Sequence, residues 1–369
     1  MFERRLYHHL DWLLLGAIAS LCFVGVSMIY SSTGTRVDGV FLPNARLTST
    51  QLYALLLGSI AFMVTLTIDY RALTDKSHFV YLGLLGLLIY VLLLGTTAGG
   101  ARRWISLGAF NLQPSEFAKI GVALVLAKFF GENRRGAPTT GDLVIGGVLA
   151  AIPLVLIARE PDLGTAVTLL PIYLGVAYVA GMRMRILGVI ALVAIVATPI
   201  AWKFALKDYQ KSRIETFLDP TQDARGAGYQ QIQAQITVGS GGLRGKGFTN
   251  GTQGQLRFLP VAHNDFIFSV LAEEQGFIGV LVVLGLYLLV IWRSLESARL
   301  AKDRLGAYLV VGLLASFSFQ VIYNVTMSAG LAPVKGLTLP LLSYGGSSLI
   351  ATLASFGLIL NVRMRRFTN

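Results

Sequence analysis

The chain has 369 residues, 54% of them hydrophobic and only 14% charged, with a mean hydropathy of +0.65 and a formal net charge of +12. A soluble domain carries about 25% charged residues, so this composition excludes a water-soluble globular protein and predicts a polytopic membrane protein. One cysteine, Cys22, and four unclustered histidines exclude an intrachain disulfide and argue against a zinc enzyme.

Apolar stretches of the roughly 17–25 residues that cross a bilayer fall near 10–30, 49–68, 78–97, 115–131, 143–158, 165–181, 186–204, 265–292, 306–328 and 346–362. They predict an all-α bundle of about ten transmembrane helices, a single domain over 1–369. No small-residue cleavage site follows the first stretch, so it reads as a span and not a removable signal. The 143–181 stretch is interrupted by Arg159-Glu160-Pro161-Asp162-Leu163-Gly164, which predicts two short helices there.

The basic residues sit in short pairs between apolar runs. That pattern speaks for membrane topology and against a nucleic-acid partner. With both termini cytoplasmic, the inner side receives Arg4 and Arg5, Arg71 and Lys76, Arg134 and Arg135, and Arg183 and Arg185. It also receives Arg293, Arg299, Lys302 and Arg304, then Arg363, Arg365 and Arg366. The segment 203–264 is then a large extracytoplasmic loop. It carries eight basic residues against four acidic ones, and a Gly-rich run, Gly239-Ser240-Gly241-Gly242-Leu243-Arg244-Gly245-Lys246-Gly247. Such a run either brings backbone N–H groups to an anion or is a flexible connection. It contains no nucleotide-binding Gly-Lys-Ser/Thr motif.

Four polar clusters interrupt the apolar background. In Gln113-Pro114-Ser115-Glu116-Phe117-Ala118-Lys119, Pro114 favours a helix start. Glu116 and Lys119 then share a face at i, i+3 and can pair, with Lys119 also able to face an anionic headgroup. Glu160-Pro161-Asp162 places two carboxylates at a helix break, where a cavity is expected. Asp265, two residues after His263, stands where the long loop meets an apolar helix, and an ionisable group at such a boundary is a functional candidate by default. The fourth cluster, Pro340-Leu341-Leu342-Ser343-Tyr344-Gly345-Gly346-Ser347-Ser348, is either a close-packed helix start or a ligand-facing loop. All four clusters, with Arg102 and Arg103, fall at the extracytoplasmic side under this topology. They suggest one cavity for an anionic amphiphile.

These segments closely resemble the SEDS family of bacterial cell-wall proteins. The matching runs are Leu112 to Lys119, Pro161-Asp162-Leu163-Gly164-Thr165, Gly226-Ala227-Gly228-Tyr229-Gln230, Gly239 to Leu243, His263 to Phe268, and Pro340 to Gly346. Gly245-Lys246-Gly247-Phe248 and Ser269 to Glu274 resemble the wording of the family's elongation branch. Asn264 stands where the family more usually has Thr.

The resemblance implies a peptidoglycan glycosyltransferase of the bacterial inner membrane that polymerises lipid II at its outer face. It also implies work with a class B penicillin-binding protein and other elongation-complex proteins, and dependence on a divalent metal such as Mg or Mn. In that chemistry a sugar hydroxyl attacks an anomeric carbon whose leaving group is a lipid pyrophosphate. The hydroxyl needs a base and the departing charge needs cations. Asp265 is then the base or a metal ligand. Lys119, Arg213 and Lys246 are candidates for the pyrophosphates, with Glu116, Asp162, Arg102, Arg103, Ser343 and Tyr344 lining the site. A single displacement implies inversion. The competing readings are a lipid II flippase, which a lipid-open cavity also serves, and a non-catalytic scaffold for the penicillin-binding protein.

Overall fold

The computed structural model describes residues 9–37, 40–98, 101–106, 111–132, 136–204, 208–223, 226–255, 258–259 and 261–367. Arg4, Arg5, Arg134, Arg135, Lys207, Arg225 and Arg257 lie outside the described residues.

Eight helices among the described residues are long and apolar enough to cross a membrane. They are α1 (Trp12–Thr33), α2 (Ala45–Thr67), α4 (Ser77–Leu94), α6 (Thr140–Arg159), α9 (Met184–Phe204), α13 (Ile267–Arg299), α14 (Arg304–Ser328) and α15 (Gly346–Met364), with the short α3 (Tyr70–Asp75) after α2. The two other expected spans are helical as well. One is α5 (Pro114–Gly131), which starts on Pro114 as its sequence predicts. The other is split into α7 (Leu163–Val167) and α8 (Leu169–Val179). Of the expected short pair, α6 is the exception. A capping box between Thr139 and Asp142 satisfies its first donors and starts it earlier, giving 20 residues.

The central helix is α15, with 89% of its apolar window buried, although it carries Ser347, Ser348, Thr352, Asn361 and Arg363. In a bilayer the polar stripe turns inward and the apolar faces meet lipid. Small residues let α15 approach α2 closely. A Cβ on Gly357 would stand 2.6 Å from the Phe62 carbonyl, and Thr65 Oγ1 donates to the Ala354 carbonyl at 3.0 Å. Asn361 donates to the Leu66 and Ile68 carbonyls at 2.7 and 2.8 Å and accepts from Tyr70 N, so it joins the end of α2 to α3. At the opposite extreme α9 has none of its apolar window buried.

Ion pairs gather at one end of the bundle. Asp11 accepts from Arg293 and Arg363 at 2.9 Å each, Arg71 pairs with Asp303 at 2.9 Å, and Arg365 with Asp69 at 3.0 Å. Four of the basic residues that signal topology in the sequence, Arg71, Arg293, Arg363 and Arg365, therefore also tie helix ends together.

The connections at the other end contain structure that hydropathy does not reveal. Strands β1 (Thr35–Val37) and β2 (Val40–Leu42) pair antiparallel, with Thr35 opposite Leu42. Strands β3 (Thr96–Ala98), β4 (Ala101–Ser106) and β5 (Asn111–Leu112) form a sheet in that order, with Thr96 opposite Trp104 and Ile105 opposite Leu112. The segment 203–264 holds α10 (Asp208–Leu218), α11 (Ala227–Ser240) and α12 (Thr252–Gln255). Its Ala234, Leu259 and Ala262 pack with Phe266, Val270 and Met327 in a small second core over the bundle end.

The Gly-rich run crosses a break in α13. Gly276 has φ 66 and ψ −169, which interrupts the helix. The exposed backbone groups are satisfied by the crossing strap. Lys246 N and Gly247 N donate to the Glu273 and Glu274 carbonyls at 2.9 Å, while Phe277 N and Ile278 N donate to the Gly242 and Leu243 carbonyls at 2.9 and 3.2 Å. Irregular backbone at membrane depth needs such partners. The donors of Lys246 and Gly247 are thus engaged with the protein itself, not with an anion.

Candidate active site

Asp265 lies in a turn that delivers the chain into α13. Val261, at φ 54, takes a left-handed conformation rare for a β-branched residue, and its carbonyl accepts from Asn264 N and Asp265 N at 3.0 and 3.3 Å. The fully buried Asn324 of α14 holds this turn. Its Nδ2 donates to the carbonyls of Asp265 at 2.9 Å and Leu337 at 2.7 Å. The same amide therefore fixes the Asp265 turn against the 329–345 segment. Oδ2 of Asp265 lies 3.5 Å from where a Cβ on Gly336 would be. Burial pushes the Asp265 carboxyl up to about 6, against the opposing charges of Arg213 and then Arg103. Beside it, the backbone N of Tyr344 donates to the His263 carbonyl at 2.9 Å, and the two rings meet edge-on at 5.5 Å between centroids. Burial lowers the His263 pKa, which keeps that imidazole neutral at pH 7.

The strand period separates the two arginines of β4. Arg103 turns inward, donating from Nε to the Glu160 carbonyl at 3.2 Å and from Nη2 to the Pro161 carbonyl. Arg102 turns outward and donates to the Leu93 carbonyl at 3.4 Å. Asp162 is the N-cap of α7. Its Oδ1 accepts from Thr165 N at 3.2 Å, and Oδ2 from Gln113 Nε2 at 2.8 Å and Ser115 Oγ at 3.4 Å. Gln113 N in turn donates to Ser347 Oγ at 2.9 Å, which links the first, second and fourth clusters. Glu160 is 1% exposed and neither carboxyl oxygen has a hydrogen-bond partner among the described residues. Burial and then the Asp162 charge raise its pKa to about 8, opposed by Arg103.

The remaining expected site residues are mostly held by the protein. Glu116 and Lys119 form a buried pair at 2.6 Å, and Lys119 also donates to Gln320 Oε1 at 3.2 Å. Lys119 faces a cavity of about 20 Å³ shared with Ser316, Gln320 and Thr352, enough for about one water and too small for a phosphate. Lys246 pairs with Glu273 at 2.6 Å, and Glu273 also accepts from Thr252 N and Oγ1 at 2.9 Å each. That pair clamps the strap to α13 and leaves Lys246 no free charge. Ser343 Oγ accepts from Leu339 N at 2.8 Å, a turn-closing bond.

Lys335 is the residue that sequence reasoning missed. It lies half-buried in the 329–345 segment with its ammonium 6.0 Å from the Tyr323 ring centroid. A Cβ on Gly164 would stand 3.0 Å from the Lys335 carbonyl, so this segment packs on the α7 turn. The signal in sequence was a lone cation in an otherwise uncharged stretch, Ala329 to Ser348.

A multi-span helical membrane protein with a half-free carboxylate and several cations at one bundle end is the class that fold and site define. The chain belongs to the FtsW/RodA/SpoVE family of cell cycle proteins, which it matches over residues 11–367. It is 37% identical over 358 residues to the peptidoglycan glycosyltransferase MrdB of Escherichia coli, covering 97% of this chain and 94% of that one. It is 32% identical over 427 residues to the peptidoglycan glycosyltransferase RodA of Treponema pallidum, covering 96% and 98%. Among solved structures it resembles the rod shape determining protein RodA of Thermus thermophilus, with a TM-score of 0.72, 31% identity and 98% of each chain covered. It also resembles a chain of a peptidoglycan synthase complex described as coordinating polymerization and crosslinking, with a TM-score of 0.83, 34% identity, and 98% and 99% covered.

Proposed function

We infer that this chain is a peptidoglycan glycosyltransferase that polymerises lipid II into glycan strands during cell elongation, releasing undecaprenyl pyrophosphate. The observation that carries the reading is Asp265. No described residue bonds to its carboxylate oxygens, its backbone is pinned by Asn324, and cations stand around it. A base works best when its pKa lies near the operating pH, and a value of about 6 meets that condition. The carboxylate takes the proton of the acceptor hydroxyl as the oxygen bonds to the anomeric carbon. The bond from that carbon to the pyrophosphate oxygen breaks, and the leaving group departs with the electron pair on the opposite face. One displacement inverts the centre.

The Lys/Arg asymmetry of the loops supports cytoplasmic termini and a site at the outer face of the bacterial inner membrane. The resemblance to the synthase-complex chain supports a class B penicillin-binding protein as the partner that supplies cross-linking. For the divalent metal, the residues present do not make a resident site. Asp265 is one carboxylate among Arg103, Arg213 and Lys335, and no cluster of three or more His, Cys, Asp or Glu suited to a metal occurs among the described residues. Magnesium-class ions lean on substrate phosphates and keep several waters, so a divalent ion would be held by the lipid's pyrophosphate and not by these side chains.

The test is lipid II polymerisation by purified protein, wild type beside Asp265→Asn. Loss of a base typically lowers the rate about 10²–10⁴-fold. Retention of more than about a tenth of wild-type turnover would remove Asp265 from the chemistry. Transport of lipid II with no glycan formed would favour a flippase.

A further inference from the structure

The turn that carries Asp265 depends on groups from elsewhere in the chain. Val261 keeps a left-handed backbone at φ 54, a conformation that persists in a β-branched residue only where its surroundings fix it. Tyr344 N donates to the His263 carbonyl at 2.9 Å, and Asn324 Nδ2 donates to the Asp265 carbonyl at 2.9 Å. The second hydrogen of that nitrogen goes to the Leu337 carbonyl at 2.7 Å. Carbonyls only accept, so a buried nitrogen with two hydrogens is the group these two segments require. The amide has no other bond among the described residues, since its Oδ1 is buried without a partner. Leaving one end unsatisfied costs stability, so holding the two carbonyls is what this side chain is for.

Leu337 stands in turn on the α7 turn. A Cβ on Gly164 would lie 3.0 Å from the Lys335 carbonyl and 3.2 Å from Leu337 Cγ. Asp162 anchors that turn to Gln113 at 2.8 Å and Ser115 at 3.4 Å. On the other side of the segment, a Cβ on Gly336, at φ 67, would lie 3.5 Å from Asp265 Oδ2. The segment 335–337 is therefore in close contact with α7 on one side and with the carboxylate on the other, and Asn324 ties it to the turn.

We propose that Asn324 is a positioning residue for the transfer reaction, which passes the seating of the 335–337 segment on the Gly164 turn to the Asp265 carboxylate. The assignment rests on the glycosyltransferase reading above. A base must stand at a defined place beside the acceptor hydroxyl, and a misplacement of about 1 Å can cost about 10²-fold in rate.

The experiment measures kcat and KM for lipid II with purified variants. In Gly164→Ala the new methyl must displace the 335–337 segment by a few tenths of an ångström. It is expected to lower kcat about three- to tenfold, with KM within about twofold. Asn324→Ala should lower kcat about 10²-fold. The double variant should stay within about twofold of Asn324→Ala, because the link is already cut. Asn324→Leu refills the volume without the donors, and should remain as slow as Asn324→Ala even where its melting temperature recovers. A merely structural role predicts the reverse: Asn324→Leu regains its rate and the two single losses multiply. Either result would overturn the proposal, as would a Gly164→Ala enzyme with wild-type kcat, whether or not the Asn324 variants fold. In those cases the function stands, provided that the wild type forms glycan and Asp265→Asn does not. A wild type that forms no glycan would remove both readings.

Discussion

Two carboxyl groups at the same end of the bundle have raised pKa values for related reasons and with different consequences. Asp265 keeps opposing cations and reaches about 6; Glu160 has Asp162 nearby and reaches about 8. Asp265 is therefore ionised at pH 7 and Glu160 is mostly protonated. For a base, the active form is the ionised one. The value of kcat/KM for lipid II should rise with pH through about 6 and flatten above it, and a profile without that limb between about 5 and 7 would contradict the role. Removing Arg213 takes away a charge that lowers this pKa, so Arg213→Gln should move the limb upward. Glu160 leads to the opposite expectation. Its neutral carboxyl has no hydrogen-bond partner among the described residues to lose, so Glu160→Gln, similar in shape, should keep the melting temperature and more than half the activity. A large loss in both would mean that the charged form is needed.

At the scale of elements, the break in α13 is where polymer physics departs from a simple hairpin of helices. Gly276 sits at φ 66, and any side chain there would meet the backbone of Arg244 and Gly245 in the crossing strap. Neither the conformation nor the contact tolerates a Cβ. Gly276→Ala should destabilise the folded protein by at least about 2 kcal/mol, the scale of a strained left-handed residue, read as a lower melting temperature in detergent. An unchanged melting temperature would show that the strap is not bound there in solution. The strap also explains why so many ionisable groups cluster after Asp265. Glu273 clamps it through Lys246, and Glu274 accepts from Ser31 of α1. These buried carboxylates are devices that hold α13, its strap and α1 together, and the catalytic candidate is the acid just outside the helix.

For the whole molecule, the ends of the bundle divide the charge. One end locks arginines against Asp11, Asp69 and Asp303, and the other leaves Asp265 and its cations under the 203–264 segment. The proposed orientation can be checked by impermeant thiol labelling of spheroplasts. A cysteine at Leu218, which is 77% exposed, should react. One at Leu300, 40% exposed at the opposite end, should react only after lysis, and the buried Cys22 should stay silent in both. The reverse pattern would put Asp265 on the cytoplasmic side and end the polymerase reading.

Hydropathy alone placed the apolar helices and their order, because lipid demands long apolar helices wherever the chain crosses. The helix start at Pro114, the Glu116–Lys119 pair and the place of Asp265 just before an apolar helix were legible too, since each depends on local spacing or on one residue in an apolar setting. Tertiary structure decided what each charge is for. Lys246 and Arg213 look alike in sequence, each a cation in a polar loop with a second cation two residues before it. Only the fold puts Glu273 against the first and leaves the second where its charge acts on Asp265. Arg102 and Arg103 differ because β4 alternates its faces, and a six-residue strand is too short to announce itself. Lys335 gained its place from Asn324, which ties together segments 59 and 13 residues away from it. Partners at such separations are set by packing, and no local pattern encodes them.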